Sequence, residues 1–112
     1  MPRAVFHGGE TCWCRAIVCN AEGSTLENYP LFVILDVYGL YFFAPSFNQV
    51  YDSYLIQYPQ FPAGETVVEV LPPFTWPVNV GNASNIKWYG ALTNPEVTDL
   101  FGELDIFTFG WE

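Results

Sequence analysis

The chain is short of charge. Only 13% of its 112 residues are Asp, Glu, Lys or Arg, against about a quarter in typical soluble domains. Basic residues are scarcer still: three Lys or Arg face twelve Asp or Glu, for a formal net charge of −9. A field of that sign repels phosphate backbones and anionic lipid, so no nucleic-acid partner is expected. Long apolar runs are missing as well. No stretch reaches the roughly 18 residues that a membrane helix requires, and no membrane insertion is expected. Met1 to Gly9 carries neither the apolar core nor the cleavage site of a signal peptide.

Histidine occurs once, at His7, and cysteine three times, at Cys12, Cys14 and Cys19. An odd number of thiols does not close a disulfide framework. Cys12 and Cys14 are two apart, so on a strand they point the same way and are badly placed to bridge each other. A zinc site would need His7 as its fourth ligand; small, buried, reduced thiols are the expected state. His7 beside Cys12 or Cys14 would form a thiolate–imidazolium pair, but a strand face of small residues is a poor seat for an exposed nucleophile. The carboxylates Asp36, Asp52, Asp99, Glu103 and Asp105 stand in no glycosidase or calcium-loop motif. Asp36 closes a buried strand and is expected to accept hydrogen bonds from a loop backbone. Asn82-Ala83-Ser84 matches a glycosylation triplet, which is frequent by chance. No enzymatic activity, cofactor or resident metal is expected.

What the chain has is rings and punctuation. Hydrophobic residues make up 51% and aromatics 19%, enough for one folded domain over residues 1–112. Nine Gly and nine Pro interrupt nearly every window that a helix would need. Short extended runs remain. Ala4 to His7 predicts a first strand. Thr11 to Cys19 predicts a second, with the small residues Cys12, Cys14, Ala16 and Val18 on one face. Leu31 to Val37, a continuous apolar run broken by Asp36, predicts a central strand buried on both faces for most of its length. Leu40 to Phe43 follows after a Tyr38-Gly39 turn. Glu65 to Leu71 alternates with Thr66, Val68 and Val70 inward and ends at Pro72-Pro73. Residues 78–85 read as a polar loop, and Ile86 to Leu92 as a strand. Thr93, Pro95, Glu96 and Gly102 predict a capped one- or two-turn helix, and Leu104 to Trp111 a last strand. The pattern predicts an all-β fold, a single antiparallel β-sandwich of seven to eight strands with one short helix before the last strand.

Several short motifs follow one another in order. A strand is entered by a Gly9-Glu10 turn. Leu35-Asp36-Val37 follows, with Gly39 and Tyr41, then Pro62-Ala63-Gly64 with Thr66, then Phe74, Trp76 and Pro77. In that order they resemble immunoglobulin-like modules of large secreted and surface proteins of bacteria. The resemblance spans nearly the whole chain. It implies an Ig-like sandwich and a non-enzymatic spacer, adhesion or assembly module at an extracellular or cell-surface location.

Residues 38–61 hold nine rings and one charge, Asp52. A sandwich interior about 10 Å thick absorbs part of such a band. Tyr38, Tyr41, Phe42, Phe47, Tyr51 and Tyr54 are the candidates for contact with a neighbouring domain or copy, because aromatic residues are enriched in interface cores. The alternative use of the same surface is to stack on carbohydrate.

Overall fold

Alternation settles the first long strand. The computed structural model describes all residues 1–112. In it Cys12, Cys14 and Val18 of β2 (Thr11–Asn20) are buried and Arg15, Ile17 and Cys19 exposed. The same holds for β7 (Gly64–Thr75), where Val68 and Val70 point inward and Glu65, Val67 and Glu69 outward. The two strands pair antiparallel from Thr11↔Thr75 to Asn20↔Gly64. β7 does not stop at Pro72-Pro73 as the sequence suggests. Proline is tolerated in a ladder at an irregularity, and the register shifts between Cys12 and Cys14, where the prolines lie opposite Trp13.

The larger sheet has five strands in the order β1 (Val5–Phe6), β9 (Asp105–Trp111), β8 (Ala83–Leu92), β4 (Leu31–Val37), β5 (Leu40–Phe43). It is mixed, not antiparallel throughout. β1 runs parallel to β9, with Val5↔Gly110 and Phe6↔Trp111 in register. A third, two-stranded sheet joins β3 (Leu26–Glu27) to β6 (Gln60–Phe61). The chain is therefore all-β, with nine strands and no helix.

The helix expected over residues 93–102 is absent because Asn94 diverts the backbone. Its Oδ1 accepts the N–H groups of Thr98 at 2.9 Å and Asp99 at 3.2 Å, and its Nδ2 donates to Thr98 Oγ1 at 2.8 Å. Short polar side chains compete with helical bonding in this way. Val97 then adopts φ +56°, which no right-handed turn can continue. Thr93 bridges to Leu100 instead.

One apolar cluster joins the β2–β7 ribbon to the five-stranded sheet. Cys12, Cys14, Val18, Val68 and Val70 meet Leu31, Val33, Ile86, Trp88, Leu92 and Phe109 within it. Phe6, fully buried, stacks on Trp76 at 5.3 Å and meets Phe109 edge-on at 6.4 Å. Asn20 is the buried polar residue at the far end of β2. It donates to the carbonyls of Ser24 at 2.8 Å and Phe61 at 3.0 Å and accepts from Glu22 N–H, so its amide is satisfied.

Candidate functional site

β4 enters the sheet with Leu31, Val33, Leu35 and Val37 toward the ribbon, so Phe32, Ile34 and Asp36 face the other way. The ladder carries that phase across the sheet. Phe43 pairs with Ile34, Ile34 with Tyr89, and Tyr89 with Ile106. A second row, Tyr41, Asp36, Lys87 and Thr108, lies beside it in the same register. These residues form the outer face of the five-stranded sheet, turned away from the β2–β7 ribbon. Tyr41 and Ile106 are exposed and Ile34, Phe43 and Tyr89 half-buried. At the β5 end Tyr51, 64% exposed, caps the face. Its ring meets the buried Phe32 edge-on at 5.2 Å and lies 6.3 Å from Phe43.

The sequence candidates separate accordingly. Tyr38, at the β4–β5 turn with φ +53°, is 67% exposed and its hydroxyl accepts the Ser84 N–H at 3.2 Å. Tyr41 and Tyr51 belong to the outer face. Phe42 and Phe47 are half-buried on the inner side. With Leu35, Leu71 and Trp88 they line an apolar hollow of about 290 Å³, and Phe47 meets Trp88 edge-on at 6.1 Å.

Tyr54 is a correction: at 4% exposure it belongs to the core and offers no surface for contact. Its N–H is tied to the Leu31 carbonyl at 3.0 Å, its ring joins the buried cluster, and burial pushes its phenol up to about 12. Tyr89, Ile34 and Ile106 are the surface residues that the aromatic band alone does not disclose. The signal for Tyr89 lies in strand phase. Once Ile86, Trp88 and Leu92 face the core, Lys87, Tyr89 and Ala91 must face outward.

Asp36 behaves as expected. Oδ1 accepts the Gly39 N–H at 2.9 Å and closes the turn, while Oδ2 accepts the Tyr89 hydroxyl at 3.1 Å. The carboxylate is thereby tied to the ring row and fixes the orientation of one of its members.

His7 is separated from the thiols by its own turn. Its Nδ1 lies 3.2 Å from Glu10 Oε1, and Glu10 also bridges Arg3. The His7 N–H, first among the causes, holds the Glu10 carboxyl below the usual carboxylate range. No three His, Cys, Asp or Glu side chains gather as metal ligands. The cysteines are free. Cys12 and Cys14 are buried, and burial pushes the Cys14 thiol up to about 11. Cys19 departs from the expectation of buried thiols: it is exposed on the outer side of β2, with Sγ 3.9 Å from Glu65 Oε1. Iodoacetamide at pH 8 is therefore expected to alkylate Cys19 in the native chain and to reach Cys12 and Cys14 only after unfolding, because the thiolate is the reactive form. Mass spectrometry of the labelled peptides checks this; rapid native labelling of Cys14 would contradict its placement.

Compared with protein-family models, curated proteins and solved structures, the chain matches none.

Proposed function

We propose that the chain is an Ig-like sandwich serving as a non-catalytic assembly or adhesion module of an extracellular or cell-surface protein. In this reading a neighbouring domain or second copy seats on the outer face of the five-stranded sheet. The supporting observation is that face itself. A cross-strand row of Phe43, Ile34, Tyr89 and Ile106 continues into the exposed rings of Tyr41 and Tyr51. Contiguous apolar surface of this kind marks interaction sites. Its charges are Lys87 and Asp36, the latter already bonded to the Gly39 N–H and the Tyr89 hydroxyl, and the rings supply contact area at small entropic cost. Tyr38 extends the same edge beyond the turn, and the hollow lined by Phe42 and Phe47 lies on the other side of β5.

Sedimentation velocity across a concentration series tests the reading. The native chain is expected to self-associate, and Tyr51→Ser to weaken association by about tenfold, on the order of 1.4 kcal/mol. Tyr51 sits over Phe32, so the variant removes an anchor and roughens the surface beneath it. A chain that stays strictly monomeric at high concentration and binds no adjoining domain would overturn the proposal. A saturable glycan response of the Trp fluorescence would replace it with sugar binding.

A further inference from the structure

The rings occupy one edge and the outer face of the five-stranded sheet; the inner side of its opposite edge is unfinished. β2 bonds only to β7, so its other edge carries unpaired backbone groups. That free edge overhangs β8 and β9, and no second-layer strand lies beside it. The gap is a cleft of two contiguous cavities, about 310 and 380 Å³, which share Ala16, Gly90 and Asp105.

The sequence accounts for the gap. Ile86, Trp88, Gly90 and Leu92 follow one another on the core side of β8, and Gly90 contributes no side chain between two buried ones. Ala16, between Cys14 and Val18 on β2, lines the same space. Two small residues thus withhold the volume that would close the layers. The walls are apolar: Val33, Val70 and Trp88 in one cavity, Leu31, Leu92 and Phe101 in the other.

One wall carries charge in an unexpected place. Asp105 pairs with Gly90 and shares a strand face with Phe107 and Phe109, so alternation turns it toward the cleft. Glu103 stands beside it. Neither acid has an ion-pair partner in the chain. Arg3 is engaged by Glu10 and Lys87 lies on the opposite face of the sheet; Arg15, which also lines the cleft, meets Glu69 at 3.9 Å with both side chains largely exposed.

We propose that an extended segment of another protein adds a third strand beside β2, filling the cleft with apolar side chains over Gly90 and setting a lysine or arginine against Asp105. Strand addition to an open edge draws its affinity from main-chain bonds and its specificity from alternate side chains. The acids of this wall select a basic partner, and a chain with three Lys or Arg against twelve Asp or Glu is poorly suited to supply it to a second copy. The neighbouring edge of the five-stranded sheet is already taken up by β1 along β9, and Met1 lines the same cleft.

The test uses the full chain and a short capped peptide alternating valine and threonine about a central lysine, with a matched glutamate peptide as comparison. The lysine peptide is expected to bind saturably, at least about tenfold tighter than the glutamate peptide, and to protect amides of Cys14–Cys19 from hydrogen exchange. Asp105→Lys is expected to reverse the preference. Gly90→Leu is expected to abolish binding of both; a Cβ there meets only Asp105 Cβ at 4.0 Å, and an unchanged urea midpoint certifies the fold. Absence of saturable binding, or a preference that survives Asp105→Lys, overturns the proposal. So does self-association that Gly90→Leu removes, which would make a second copy the occupant. Tyr51→Ser leaves peptide binding unchanged, so failure here and failure of the ring face are separable.

Discussion

Phe6→Ala is expected to lower the free energy of unfolding by about 3–5 kcal/mol, a large share of the roughly 5–15 kcal/mol that holds a domain together. β1 spans only Val5–Phe6 and makes two register pairs with β9. So short a parallel ladder does not hold an arm by itself. The ring does most of the holding. It is fully buried, lies nearly parallel to Trp76 at an interplanar angle of 19°, and meets Phe109 at 84°. Truncation leaves a hole walled by large aromatic residues that cannot collapse into it. Urea unfolding followed by Trp fluorescence measures the loss. Hydrogen exchange should locate it, with the amides of Gly110 and Glu112, bonded to the carbonyls of Ala4 at 2.9 Å and Phe6 at 3.0 Å, losing protection first. A loss below about 1 kcal/mol would show that the arm is held by something other than this ring.

Gly110→Ala should be the second severe substitution, at about 1–3 kcal/mol or more. A Cβ built there falls 2.4 Å from the Ala83 carbonyl oxygen and 3.0 Å from Ser84 Cα. Both are backbone atoms, so no side-chain rotation relieves the overlap. Relief requires β9 to move away from β8 where the register already shifts between Ala83 and Ile86, and that movement strains the Gly110–Ala4 bond on the other side. Gly90→Ala is the control. It is also a strand glycine, but its Cβ meets nothing nearer than 4.0 Å, so the side chain is expected to be neutral or stabilising. Thermal unfolding of the two variants compares them directly; equal midpoints would refute the steric account.

Much of the fold was legible where one face is buried and the other wet. The small-residue face of β2 and the inward Val68 and Val70 of β7 follow directly from period-two alternation. So does the carboxylate of Asp36, because a strand-end acid must find donors. The errors have physical causes. Thr93, Pro95 and Glu96 carry a helix-start signature, but Asn94 captures the backbone N–H groups locally. Pro72-Pro73 ends a strand inside a wide sheet, whereas β7 belongs to a two-stranded ribbon and passes them at a bulge. Tyr54 is indistinguishable from Tyr51 by composition; its place in the core depends on long-range packing and on a main-chain bond to Leu31. The ring row across β5, β4, β8 and β9 depends on register between distant segments, and the cleft at Gly90 depends on which strands come to lie over which. Neither is written in any one stretch of chain.

The parallel course of β1 and β9 gives the fold a mechanical direction. Tension that draws β1 by its leading end and β9 by its trailing end slides the two strands lengthwise past each other. The hydrogen bonds of Gly110 and Glu112 then bear load together instead of parting one at a time, as they would in a peeled hairpin. Phe6, stacked on Trp76 and edge-on to Phe109, acts as a detent that must be dragged from its socket before the arm can slip. Resistance to rupture along that axis is therefore set by a shear latch, whose strength depends on one ring and a two-pair ladder more than on the total stability of the domain.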